Sequence, residues 1–119
     1  MSRWPAVQHL SLTVRDPERS RAFYRDFLGF DDLGGHDVAE LSIGETKLVL
    51  LPGRDVSPPQ DIHFGFGESS RSAVDEWARK ARAAGLVIDS GPGTAEWGGY
   101  VIYFRDPDGY QIEIWTDAR

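Results

Sequence analysis

The sequence contains no cysteine, which excludes disulfides, thiolate metal ligands and a cysteine nucleophile. It has no apolar run near the roughly 20 residues that a membrane-spanning helix needs. Residues 1–5, Met-Ser-Arg-Trp-Pro, lack the apolar stretch of a signal peptide, so a cytoplasmic protein without a membrane partner is expected. Basic residues are the minority, 13 Lys and Arg against 19 Asp and Glu, for a net charge of −6. That balance argues against nucleic acid as a partner. It suits a cationic ligand or simply a well-solvated exterior. What is present is ordinary: 40% hydrophobic and 27% charged residues over 119 positions, enough for one domain with a real core.

Histidine is also scarce, with three in the chain, and two of them sit at matching places in strand-like segments. His9 lies in Gln8-His9-Leu10-Ser11-Leu12-Thr13-Val14, and His63 in Ile62-His63-Phe64-Gly65-Phe66. Strand side chains alternate faces, so each histidine points away from its apolar neighbours. Glu113 has the same parity in Gln111-Ile112-Glu113-Ile114-Trp115. Two imidazoles and one carboxylate on the faces opposite the core are a ligand set for a divalent metal, with positions open for water and substrate. Taken singly, such residues are usually surface or hydrogen-bonded groups; the matched positions favour a metal. The third histidine, His36, falls in a predicted turn and reads as a surface residue.

Asp16-Pro17-Glu18 reads as an N-cap, a first-turn proline and a first-turn acid. Phe23, Tyr24, Phe27 and Leu28 follow at helical spacing, with Gly29 as the stop. The pattern predicts a strand at about 7–14 and a helix at about 17–28, then strands near 30–33, 38–43 and 47–51. Pro52-Gly53 and Ser57-Pro58-Pro59 read as a linker. The plan then repeats: a strand at 62–66, a helix capped by Ser70 or Ser72 and ended at Gly85, and strands near 86–88, 100–105 and 111–115. The expected fold is α+β: two βαβββ modules, at about 1–55 and 60–119 of a single domain, with curled mixed sheets around a central cavity.

This duplicated plan resembles the vicinal oxygen chelate superfamily, also called the glyoxalase/bleomycin-resistance/dioxygenase family. The likeness covers essentially the whole chain. It rests on His9-Leu10-Ser11-Leu12, on residues 16–30 (DPERSRAFYRDFLGF), on Asp61-Ile62-His63-Phe64, and on residues 103–113 (YFRDPDGYQIE). The resemblance implies a homodimer in which His9 of one copy meets His63 and Glu113 of the other around a metal. It fixes the scaffold better than the reaction, because the family hosts lyases, thiol transferases, dioxygenases and metal-free binding proteins.

The duplication places a fourth ligand position within 47–51, where glyoxalase I-like enzymes carry an acid. Lys47-Leu48-Val49-Leu50-Leu51 offers none, which counts against that reaction. The remaining set resembles the fosfomycin-resistance thiol transferases and the extradiol dioxygenases. Yet the loop Gly93-Thr94-Ala95-Glu96-Trp97-Gly98-Gly99 lacks the lysine and serine of the former, and the extra acid–base histidine of the latter is missing. A tight 106–110 loop would pair Tyr103 with Glu113, where a phenol either donates to a substrate oxyanion or merely fills the wall. Ser11 faces inward and suits a substrate oxygen or simple space filling. Arg105 suits an anionic group at the rim or a surface salt bridge, and Trp97 and Trp115 an apolar ligand wall or core packing.

The reading is a metal-dependent enzyme acting on a small oxygen-bearing substrate, with Mn, Fe, Co, Ni or Zn held by His9, His63 and Glu113. Tyr103 and Glu113 are its candidate catalytic groups, and Ser11, Trp97, Arg105 and Trp115 its candidate substrate contacts. The alternative is a metal-free, bleomycin-resistance-like protein that sequesters a cationic aromatic compound.

Overall fold

The computed structural model describes residues 7–119, so the reading of residues 1–5 lies outside it. The chain divides between Ser57 and Pro58, in the segment expected as a linker, into two compact units. Each is a βαβββ module with a four-stranded mixed sheet. Among the described residues no helix is long and apolar enough to cross a membrane.

In the first unit β1 (His9–Val14) leads into α1 (Pro17–Ala22), followed by β2 (Asp31–Gly34), β3 (Ala39–Ile43) and β4 (Thr46–Pro52). The sheet order is β1-β4-β3-β2, with β1 parallel to β4 and the other pairs antiparallel. Asp16 caps α1 as expected, accepting from the Glu18 and Arg19 amides. The helix does not run on as one α-helix to residue 28. At Phe23–Phe27 it widens into a π-helical turn, which the Leu28 amide closes onto the Phe23 carbonyl. Phe23 meets Tyr24 edge-on and stacks on Phe27, so three aromatic rings crowd this turn. Leu12, Val14, Leu41, Leu48 and Leu50 form the core face of the sheet. Thr13 and Ser11 alternate to the other side.

In the second unit β5 (His63–Gly67) precedes α2 (Arg71–Ala83), β6 (Ile88–Thr94), β7 (Tyr100–Arg105) and β8 (Gln111–Thr116). The sheet order, β5-β8-β7-β6, repeats that of the first unit, with β5 parallel to β8. Ser70 caps α2 by accepting from the Ala73 amide, and Val74, Ala78 and Ala81 make its buried stripe. Ile102, Phe104, Ile112 and Ile114 form the matching core, each contributing roughly 1.5–3 kcal/mol by burial. The strand expected near 86–88 is corrected: β6 begins only at Ile88 and continues through Asp89-Ser90-Gly91-Pro92-Gly93-Thr94. Its pairing with β7 shifts register twice, which accommodates a segment whose glycines and proline read as loop.

The turn after β7 is built by one carboxylate. Asp106 Oδ1 accepts from the amides of Asp108, Gly109 and Tyr110, each at 2.9 Å. This short loop fixes the β7–β8 register, so Tyr103 pairs with Glu113 and Arg105 with Gln111, as the spacing predicts.

Candidate metal centre

The two sheets have equivalent registers. His9 pairs with Lys47 in the first, and His63 with Gln111 in the second. Two residues further on, Ser11 pairs with Val49 and Gly65 with Glu113. Val49 is therefore the first unit's counterpart of Glu113, and the expected fourth ligand position is apolar.

In the second unit His63 and Glu113 converge. They stand on adjacent strands on the side away from α2, with His63 Nε2 3.8 Å from Glu113 Oε2. The carboxylate is buried at 11% side-chain exposure while the imidazole stays 41% exposed, leaving one open side. Two ligand atoms about 2.1 Å from one tetrahedral ion lie roughly 3.4 Å apart. A small rotation of either side chain brings the pair to that spacing, so the donors fit a divalent ion. Gly65 makes the room: a Cβ there would stand 2.9 Å from Glu113 Oε1 and 3.2 Å from its Cβ. A Gly65→Ala variant should keep its fold but bind divalent metal about tenfold more weakly, readable by calorimetric titration.

Tyr103 stands opposite Glu113 on the neighbouring strand. Burial first, then the neighbouring Glu113 carboxylate, push the phenol up to about 12, while Trp97 works the other way. The His63 ring stands edge-on to that of Tyr103, centroids 5.4 Å apart. Trp97 in turn meets Trp115 edge-on at 5.7 Å. Thus the second unit gathers His63, Glu113, Tyr103, Trp97 and Trp115.

Other expected residues lie elsewhere. His9 and Ser11 belong to the first unit, both exposed, and His9 Nδ1 is 3.0 Å from Gln8 Oε1. Among the described residues no three His, Asp or Glu side chains gather around one point. Arg105 is held on two sides, its Nε 2.6 Å from Asp89 and its Nη1 donating to the Gly109 carbonyl at 3.0 Å, which favours the salt-bridge alternative. His36 is exposed in the β2–β3 connection. Sequence reasoning missed the part of Gly65, whose missing side chain matters only once β5 is paired with β8.

The model of the Glyoxalase/Bleomycin resistance protein/Dioxygenase superfamily matches residues 6–114, and the chain belongs to that superfamily. An uncharacterized protein of Pseudomonas aeruginosa is 34% identical, over 92% of this chain and 87% of its own length. The metallothiol transferase FosB of Staphylococcus epidermidis is 30% identical, over 93% of this chain and 81% of its own. A crystal structure of a glyoxalase/dioxygenase from Nostoc punctiforme superposes with a TM-score of 0.76 at 26% identity, covering 96% of this chain and 92% of that one.

Proposed function

We propose that the protein is a metal-dependent enzyme whose His63 and Glu113, with His9 as third ligand, hold a divalent ion at which a small oxygen-bearing substrate binds. The observation that carries this is the His63–Glu113 pair, its buried carboxylate opposite Tyr103 and given room by Gly65. Similarity to a metallothiol transferase supports it. The ion would supply Lewis-acid polarisation of a substrate oxygen. Nitrogen and oxygen donors suit Mn, Fe, Co, Ni or Zn alike.

The protein's own groups do the rest. Tyr103 keeps its proton at neutral pH, and its single O–H would serve either Glu113 or, once substrate binds, an oxygen that gains charge. Trp97 and Trp115 supply an apolar wall, and Ser11 is a further hydroxyl for substrate in the completed site. Completion by His9 from a second copy makes the working form a homodimer in the cytoplasm. Val49, standing where Glu113 has its counterpart, removes the second carboxylate and disfavours glyoxalase I-type proton transfer.

The test is equilibrium dialysis of chelator-stripped protein against Co2+, Mn2+ and Zn2+, with sedimentation to read the oligomeric state. One ion bound per chain, lost in His9→Ala and His63→Ala alike, is the expected result. No retained metal, together with tight binding of a cationic aromatic drug, would replace this reading with a sequestering protein.

A further inference from the structure

Where β7 begins and β8 ends, the second unit has a cavity of about 720 Å³. Trp97 and Trp115 wall it, the Gly98–Gly99 backbone edges it, and Arg71, Arg119 and Asp117 bring its charge. Arg71 and Arg119 bring guanidinium groups to it and Asp117 a carboxylate, in a chain of net charge −6. Large flat apolar rings beside a positive group match a flat apolar ligand carrying an anion.

Arg71 is held in place for that role. Its Nε donates to the Ala118 carbonyl at 3.1 Å, and its guanidinium lies over the Tyr100 ring, 5.0 Å from the centroid. Tyr100 is itself fixed by its hydroxyl bond to Asp75 at 2.5 Å. With Nε used on the backbone, the Nη groups are the fork's remaining donors. Helix stability does not account for this arginine. It is the first residue of α2, where a cation opposes the helix dipole, and that first turn holds no acid to offset it.

Trp97 is 58% exposed, so its ring is open to a ligand on the cavity side. Its ring lies over Gly99, at a place that any Cβ on that residue would occupy. The ring lines the cavity and meets Trp115 edge-on, so the two indoles form one wall.

We propose that this cavity is a binding subsite for a small aromatic carboxylate, its ring against Trp97 and Trp115 and its carboxylate on Arg71. The proposal rests on the reading that these tryptophans wall a ligand pocket, and it names the class of ligand. It needs no bound metal, so it is tested on chelator-stripped protein, and its failure is separate from failure of metal binding.

The probes are 2-naphthoate, the neutral 2-naphthylmethanol and the cationic 2-naphthylmethylammonium, titrated into the full chain while the indole N–H resonances are followed by NMR. Trp97→Phe and Trp115→Phe assign the signals. Naphthoate should move the Trp97 and Trp115 resonances and bind at least tenfold more tightly than the alcohol. Arg71→Gln should erase that preference while leaving the alcohol's affinity unchanged. Gly99→Ala, which drives the Trp97 ring from its place, should weaken both. Tighter binding of the cation, an unchanged naphthoate affinity in Arg71→Gln, or shifts confined to the other two indoles would each overturn the proposal.

Discussion

Glu113→Ala is expected to lower divalent-metal affinity by more than about 100-fold, and Tyr103→Phe by about tenfold, with the fold intact in both. The ranking follows from what each group does. Glu113 is a proposed donor to the ion, and its loss would leave His63 as the second unit's lone proposed ligand. Tyr103, opposite Glu113 on β7, would act on the ion only through that carboxylate. Loss of such an outer partner typically costs 10–100-fold, so loss of the ligand itself must cost more. Neither change should disturb the core, because Ile112 and Ile114, on the opposite face of β8, carry the packing against α2. Calorimetric titration of Co2+ or Mn2+, with circular dichroism to confirm folding, reads both variants. An affinity for Glu113→Ala equal to that of the parent would show that the ion sits elsewhere.

Much of this site was legible because period-two alternation is a hard constraint. Once 111–115 is a strand with Ile112 and Ile114 inward, Glu113 has only the other face. The short 106–110 loop then sets Tyr103 opposite it, and loop composition alone was enough to foresee that pairing. The ambiguity at Arg105 was different in kind. Parity put it on the site's face, but its partner Asp89 comes from β6, a strand whose Ser-Gly-Pro-Gly content disguised it as loop. A residue's nearest charge cannot be assigned while the neighbouring strand is misplaced. The π-helical turn at Phe23–Phe27 was hidden for a related reason. A helical spacing of aromatic residues is nearly the same whether the turn closes four or five residues back, and tertiary crowding decides. His9 and His63 were paired from the repeat, and the equivalent registers of β1–β4 and β5–β8 give that equivalence its structural form.

In the first unit the largest expected loss of stability comes from Arg21→Ala. Arg21 lies on α1 with only 7% of its side chain exposed, yet it carries a full charge. Its Nη1 donates to Asp32 Oδ1 at 2.6 Å and to the Gly34 carbonyl at 2.8 Å, while Nη2 donates to the Gly35 carbonyl at 2.6 Å. The guanidinium therefore ties α1 to the end of β2 and the turn that follows. That turn needs glycine: Gly34 and Gly35 have φ of +94° and +91°, and a Cβ on Gly35 would collide with the Val38 carbonyl. Truncation leaves two carbonyls without their donor and takes from Asp32 one of its partners, the Gly34 amide and Arg25 remaining, a loss of about 3 kcal/mol. For a domain of this size that lowers Tm by roughly 10–15 °C. Arg21→Lys should recover little, since one ammonium cannot span the three acceptors that the planar fork reaches. The Gly34 amide first, then Arg21, hold the Asp32 carboxyl below the usual carboxylate range. Stability from this group is present above the ordinary carboxylate pKa and is lost as pH falls through the lowered folded value. Arg21→Ala should therefore lose most against the parent near neutral pH and progressively less in acid, measured as Tm by calorimetry from pH 7 down to pH 3. A Tm within 2–3 °C of the parent at pH 7 would mean that the turn holds its shape without the arginine.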